Sequence, residues 1–145
     1  MDLARKTAFE ILFEIEKEDA YSNLTINRFL EKNRPENPAF VRELVYGVLE
    51  NKILLDYYLD QLIPSGIKKV KKKEATLLRM GLYQMLFLDG VPDYAAVNES
   101  VIIAKKLCRG REGFINGVLR GFMKKRDQIT LPDREKDIKK FLSVK

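Results

Sequence analysis

Few side chains in this sequence are suited to making or breaking covalent bonds. Its 145 residues include no histidine and one cysteine, Cys108. Histidine is the side chain whose unperturbed pKa lies nearest neutrality, so the commonest general base is missing. Cys108 shares an apolar helical stripe with Val97, Val101 and Ala104. Burial there raises a thiol's pKa and keeps it inert, although the adjacent Arg109 and Arg111 pull the other way. Glu99 and Glu112 are isolated carboxylates, not an acid–base pair. There is no Gly-x-Gly-x-x-Gly and no P-loop pattern to cradle a nucleotide. A structural zinc site needs several Cys or His ligands, and the composition excludes it. These residues point to binding, not turnover.

The chemistry on offer is cationic. Lys68-Lys69-Val70-Lys71-Lys72-Lys73 places five lysines in six positions, just before the helical pattern that carries Arg79. It reads either as a solvated connector or as a phosphate-contacting patch. Arg5 and Lys6 fall in the first turn of a helix, where the dipole disfavours cations by about 0.3–1 kcal/mol each. They are either solvated terminal charges or a basic edge presented to phosphate. The net charge of +6 is modest, but its distribution is uneven. Residues 1–62 hold 8 basic and 12 acidic side chains, and residues 63–126 hold 14 basic and 5 acidic. Such asymmetry favours one polyanion-binding face.

The elements that must position these charges are helices. The chain is organised around Leu78 to Phe122, which reads as three helices in a row. Over 75–88 the apolar residues are Leu78, Leu82, Met85, Leu86 and Leu88. Over 94–107 they are Val97, Val101 and Ala104, with Cys108 beyond, and over 111–126 Phe114, Ile115, Val118, Leu119 and Phe122. Gly90 and Gly110 end the first two, and Asp93 is placed as an N-cap. Gly81 and Gly117 lie inside helices at about 1 kcal/mol each against Ala, which predicts close backbone approach at both. Asn98 and Asn116 border apolar faces and are read as cross-links between helices.

Upstream, the spacing predicts a helix over 3–17, with Ala4, Ala8, Phe9, Ile11, Leu12 and Ile15 inward. A second runs over 22–32, with Ser22 as N-cap and Leu24, Ile26, Phe29 and Leu30 inward. Pro35 and Pro38 confine 33–38 to a loop. A third helical region over 38–62 breaks near Glu50–Lys52, and a last short helix is expected over 133–142. Period-2 alternation is absent, so the fold class is all-α. No apolar run approaches a membrane span and the N-terminus lacks a signal-peptide core. The lone cysteine suits a reducing cytosol, and a cytoplasmic location is expected.

Three strings carry a resemblance: Leu78-Arg79-Met80-Gly81-Leu82-Tyr83-Gln84, Val91-Pro92-Asp93-Tyr94-Ala95-Ala96-Val97-Asn98-Glu99, and Phe114-Ile115-Asn116-Gly117-Val118-Leu119-Arg120. They resemble the NusB-like domain, in particular the version at the N-terminus of bacterial small-subunit rRNA cytosine-C5 methyltransferases of the RsmB (Sun/Fmu) type. Ala4-Arg5-Lys6-Thr7-Ala8 and Leu44-Val45-Tyr46-Gly47-Val48-Leu49 fit the same pattern. Tyr83-Gln84 and the full Val-Pro-Asp-Tyr-Ala-Ala-Val string are more similar to the methyltransferase version than to the free-standing factor. Asn37-Pro38 departs from it, standing where the family often has Asp-Arg.

The resemblance implies an all-α bundle of two packed sub-bundles, about seven helices, in one domain over 1–145. The sub-bundles would span 1–64 and 68–126, with a tail at 127–145 leading to a catalytic domain beyond this chain. It implies RNA binding, and free-standing members act in transcription antitermination with a ribosomal protein partner. Their basic first helix and Phe-x-Asn-Gly-Val-Leu region carry over to Arg5, Lys6 and Phe114, with Arg120 directly after. With the lysine run, the candidate RNA-binding set is Arg5, Lys6, Lys68, Lys69, Lys71, Lys72, Arg79, Phe114 and Arg120. No catalytic or metal-binding residue is assigned.

The expected function is an RNA-binding domain that positions 16S rRNA for an S-adenosylmethionine-dependent methyltransferase domain. The methyl donor and the catalytic cysteines of such an enzyme would lie beyond Lys145, and no cofactor is expected in this segment. The alternatives are a free-standing antitermination factor and a helical protein–protein module. The expected partners are RNA and the methyltransferase domain, with a homodimer or a ribosomal protein as alternatives, and no membrane.

Overall fold

The computed structural model describes residues 1–18 and 22–129. The helix expected over 133–142 lies outside the described residues. Seven α-helices are described: α1 (Leu3–Glu18), α2 (Ser22–Asn33), α3 (Pro38–Glu50), α4 (Lys52–Leu62), α5 (Lys72–Phe87), α6 (Asp93–Leu107) and α7 (Glu112–Lys125). Short 3-10 turns occupy Ile67–Lys69 and Arg126–Gln128, and the described residues contain no strand.

Helix α5 is the axis. A surface helix buries one stripe, but α5 is buried all round from Glu74 to Met85. It packs against α1, α3, α4, α6 and α7. Leu77, Leu78, Met80 and Leu82 point in different directions and all are buried. Polar groups drawn inside with them find partners, as buried polar groups must. Thr76 Oγ1 donates to the Lys72 carbonyl at 2.7 Å, and Gln84 Nε2 to the Met80 carbonyl at 3.0 Å. Helices α1, α2 and α3 form one group, and α6 and α7 another against α5. Helix α4 packs chiefly on α5 and α7.

Local chemistry explains the boundaries. Asp2 Oδ1 accepts from the Ala4 amide at 2.9 Å, and its carboxylate pairs with Arg5. This anion offsets the unfavourable Arg5 and Lys6 charges at the start of α1. Asn33 Nδ2 donates to Thr7 Oγ1 and Glu10 Oε1, both at 3.0 Å, and pins the end of α2 to α1. Asn37 Oδ1 accepts from the Phe40 amide at 3.2 Å, and Pro38 takes the first helical position. The departure at Asn37-Pro38 therefore still caps a helix. The expected break between α3 and α4 falls at Asn51, whose side-chain amide donates to the Gly47 carbonyl at 2.8 Å.

Several expectations fail for identifiable reasons. Asp93 does not cap α6; Pro92 holds the cap position, and Asp93 pairs with Arg126 at 3.3 Å. Leu24 is 74% exposed, because Thr25 and Ile26 form the buried edge of α2. Asn98 is exposed, and Asn116 accepts from Arg120 on its own helix, so neither links helices. The two mid-helix glycines part company. At Gly81 a Cβ would stand 2.8 Å from Leu119 Cδ1 and 3.0 Å from Ser100 Oγ, where α5, α6 and α7 cross. At Gly117 nothing lies within 4 Å, so the close-approach reading is wrong there. The tightest glycine is Gly47, where the buried Tyr83 ring occupies the space a Cβ would need.

Candidate nucleic-acid interface

The structure does not bring the predicted basic residues together in one place. Arg5 lies by the C-terminal end of α5. Its Nε donates to Gln84 Oε1 at 2.6 Å, it pairs with Asp2, and its guanidinium lies 5.2 Å from the Phe40 ring centroid. With its side chain 12% exposed, Arg5 is committed to clamping α1 onto α3 and α5. Lys6 faces Glu10 at 3.7 Å. Arg79 is internal: its Nε and Nη2 donate to the two Asp56 carboxylate oxygens at 2.7 and 3.1 Å. Its side chain is 10% exposed, so a phosphate cannot reach it without breaking that pair.

The residues of the lysine run gather at the opposite end of α5. Glu74 and Gln84 mark the two ends, ten residues or about 15 Å apart. Ile67 is buried and anchors the 3-10 turn that carries Lys68 and Lys69, both exposed. Lys71 caps α5, and Lys72 and Lys73 make its first turn. The α6–α7 link brings Arg109 and Arg111 to the same place, bent back by Gly110 at φ +81°. A cleft of about 350 Å³ lies between Phe13 of α1, Lys71–Lys73 and these two arginines. Glu74 also lines it, buried, and accepts from Arg111 Nε. The Arg111 guanidinium lies 4.4 Å from the Phe114 ring centroid. Lys17 and Lys73 each lie 5.5 Å from the Phe13 ring centroid. Arg120 is exposed elsewhere on α7 and donates to Asn116 Oδ1 at 2.9 Å.

Sequence reasoning missed Phe13, Arg109 and Arg111 as site residues, and carried Lys73 only as part of the lysine run. The usable signals were an aromatic among charged neighbours in the first helix and two arginines flanking a turn glycine. Cys108 also lines the cleft, and it is buried. Burial pushes its thiol pKa up, the Glu74 carboxylate adds to that, and Lys73 opposes it. The shift disfavours the nucleophilic thiolate. Cations interleaved with aromatic faces suit a charged, planar-base polymer: ammonium and guanidinium groups meet phosphates while rings accept bases.

Among the described residues the architecture is a helical bundle wound round one buried helix, with a basic, aromatic-lined cleft at one end. The NusB family signature matches residues 2–124, and the chain belongs to the NusB family. It is 44% identical over 125 residues to the probable ribosomal RNA small subunit methyltransferase B of Bacillus subtilis (strain 168), covering 83% of this chain and 27% of that protein. It is 34% identical over 118 residues to the transcription antitermination protein NusB of Bacillus licheniformis, covering 80% and 90%. The chain thus spans about a quarter of the length of the B. subtilis methyltransferase. Among solved structures, a chain of the crystal structure of antitermination factors NusB and NusE in complex with dsRNA superposes with a TM-score of 0.77. The identity is 21%, with 85% of this chain and 95% of that one covered. T. maritima NusB gives a TM-score of 0.76 at 23% identity, covering 84% and 89%.

Proposed function

We propose that this chain is an RNA-binding domain and that the cleft at the N-terminal end of α5 is where it grips RNA. The carrying observation is the convergence of Lys71, Lys72, Lys73, Arg109 and Arg111 around Phe13, drawn from α1, α5 and the α6–α7 link. Lys68 and Lys69 extend the basic surface along the adjacent turn, and Phe114 supports Arg111. Arg5 and Arg79 drop out of the contact set because their guanidinium groups are engaged inside the fold.

Phosphate contacts release counterions, so affinity should fall with salt. For three to four contacts to a single strand, raising salt from 50 to 200 mM should weaken binding by about 20- to 50-fold. Titrating a labelled small-subunit rRNA fragment at both concentrations measures this. No binding at low salt, or binding indifferent to salt, would favour a protein–protein module instead.

The higher identity to a methyltransferase B supports a finer reading: the domain presents 16S rRNA to a methyltransferase region of the same polypeptide. S-adenosylmethionine would supply the methyl group there. The described residues contain no strand-to-helix turn to hold it, so no step of that chemistry is assigned to them. The 90% coverage of a NusB factor supports the alternative, a free-standing factor working with a ribosomal protein. Immunoblotting the native gene product separates the two. A band near 16.9 kDa supports the factor, and one several times larger supports the methyltransferase.

A further inference from the structure

We propose that Arg111 is a pre-aimed phosphate fork at the mouth of this cleft, and that the buried Glu74 is the positioning residue that aims it. The proposal rests on the RNA-binding reading and adds to it the group that takes a phosphate.

A carboxylate is the wrong charge for the floor of a polyanion site, so Glu74 calls for an explanation. Its side chain is 5% exposed, while that of Arg111 is 49% exposed. The hydrogen bond between them uses Arg111 Nε alone. The guanidinium carbon lies over the Phe114 ring, 4.4 Å from its centroid. One in-plane hydrogen bond at Nε and one ring beneath the guanidinium carbon restrict how this planar group can turn. Among the described residues, Nη1 and Nη2 make no other hydrogen bond. They form the paired donors that match two phosphate oxygens, a match an ammonium cannot make. The surroundings favour an anion there. Helices α5 and α7 both begin at this end, with Lys72 and Glu112 as first residues, so two positive dipole ends converge. Lys71, Lys72 and Arg109 stand around the same opening without a salt bridge among the described residues. A phosphate bound to Arg111 would also sit within reach of the Phe13 ring side of the cleft, where a base can stack.

The sign of one substitution separates this arrangement from simple charge attraction. Glu74→Ala removes a negative charge from a basic cleft, so by electrostatics alone RNA should bind more tightly. If Glu74 aims Arg111, RNA should bind about 5-fold more weakly, the order expected for losing one typical hydrogen bond. Glu74→Gln keeps an acceptor for Nε and should bind at least as well as the parent. Arg111→Lys keeps the charge, loses the fork, and should weaken binding by about 5-fold. In an Arg111→Ala background, Glu74→Ala should no longer weaken binding.

Fluorescence anisotropy with a labelled single-stranded RNA oligonucleotide at low salt reads all of these, with circular dichroism melts to show that each variant is folded. Tighter binding by Glu74→Ala, or Arg111→Lys equal to the parent, overturns the proposal. If Glu74→Ala does not fold, Arg111→Lys decides alone. A second arm follows the Arg111 Nε–H signal by NMR as inorganic phosphate is added. If the parent ignores RNA but this signal shifts with phosphate, the RNA reading fails and the fork stands as a site for the free anion. If RNA binds and neither variant weakens it, the fork fails and the RNA reading stands.

Discussion

Gly47→Ala should destabilise this domain by on the order of 3 kcal/mol, read as a lower midpoint in urea unfolding at unchanged slope. By helix propensity alone the change would stabilise by about 1 kcal/mol, since Gly47 lies inside α3. The opposite sign comes from α5. The Tyr83 ring enters the groove that Gly47 leaves in α3, and its Cζ, hydroxyl and Cε1 atoms fill the volume of even one methyl group. Tyr83 is buried and stacked on Phe87 at 5.1 Å, so the ring cannot turn aside freely. Tyr83→Leu should restore part of the loss in the double variant. Gly117→Ala is the control, because nothing stands near its missing Cβ. It should gain about 0.5–1 kcal/mol. Equal effects at the two glycines would show that propensity, not the ring, governs both.

Asp56→Ala should be nearly as damaging, at about 3 kcal/mol. The bidentate pair links α4 to α5, and removing the carboxylate leaves the Arg79 guanidinium buried without its hydrogen-bonded partner, with Glu16, already paired to Lys52, as the neighbouring anion. The value is taken at the low end for buried pairs because Asp56 is a quarter exposed and water can reach the gap. Nearby, Glu16 and Lys52 pair at 2.9 Å. Burial opposes ionisation of Glu16, but the Lys52 hydrogen bond and the charges of Lys52, Arg79 and Lys72 together hold its pKa below the ordinary value. The double replacement Asp56→Leu with Arg79→Met should lie much closer to the parent than Asp56→Ala alone. Chemical denaturation of the three variants tests this; a double variant as weak as the single would mean that the pair itself, not the orphaned charge, sets the loss.

Both effects show what a single chain of letters carries and what it hides. The bounds of α5, α6 and α7 were legible within a few residues, because apolar spacing at 3.6 and the flanking Gly and Pro residues are local properties. The α3–α4 break was legible from the polar Glu50–Lys52 stretch. Gly81 and Gly117 look alike in sequence, and only the arrangement of Leu119 and Ser100 tells them apart. Arg5 looks like a free cation until Gln84, far along the chain, is folded against it. The cleft was half legible. The lysine run announced itself, but Phe13 and Arg111 reach it only through the packing of α1 and α7 on α5. Distance in sequence is what periodicity cannot see.

Because α5 is enclosed on every side by five other helices, neither group of helices can come apart without exposing it. The amides from Leu77 to Met85 should therefore exchange hydrogen for deuterium only when the whole domain unfolds, at the slowest rate in the molecule. The helices outside the axis, such as α2 with its exposed Leu24, should exchange through smaller openings. The cleft at one end and the Arg5 clamp at the other are thus mounted on a single cooperative unit, and they persist or disappear together.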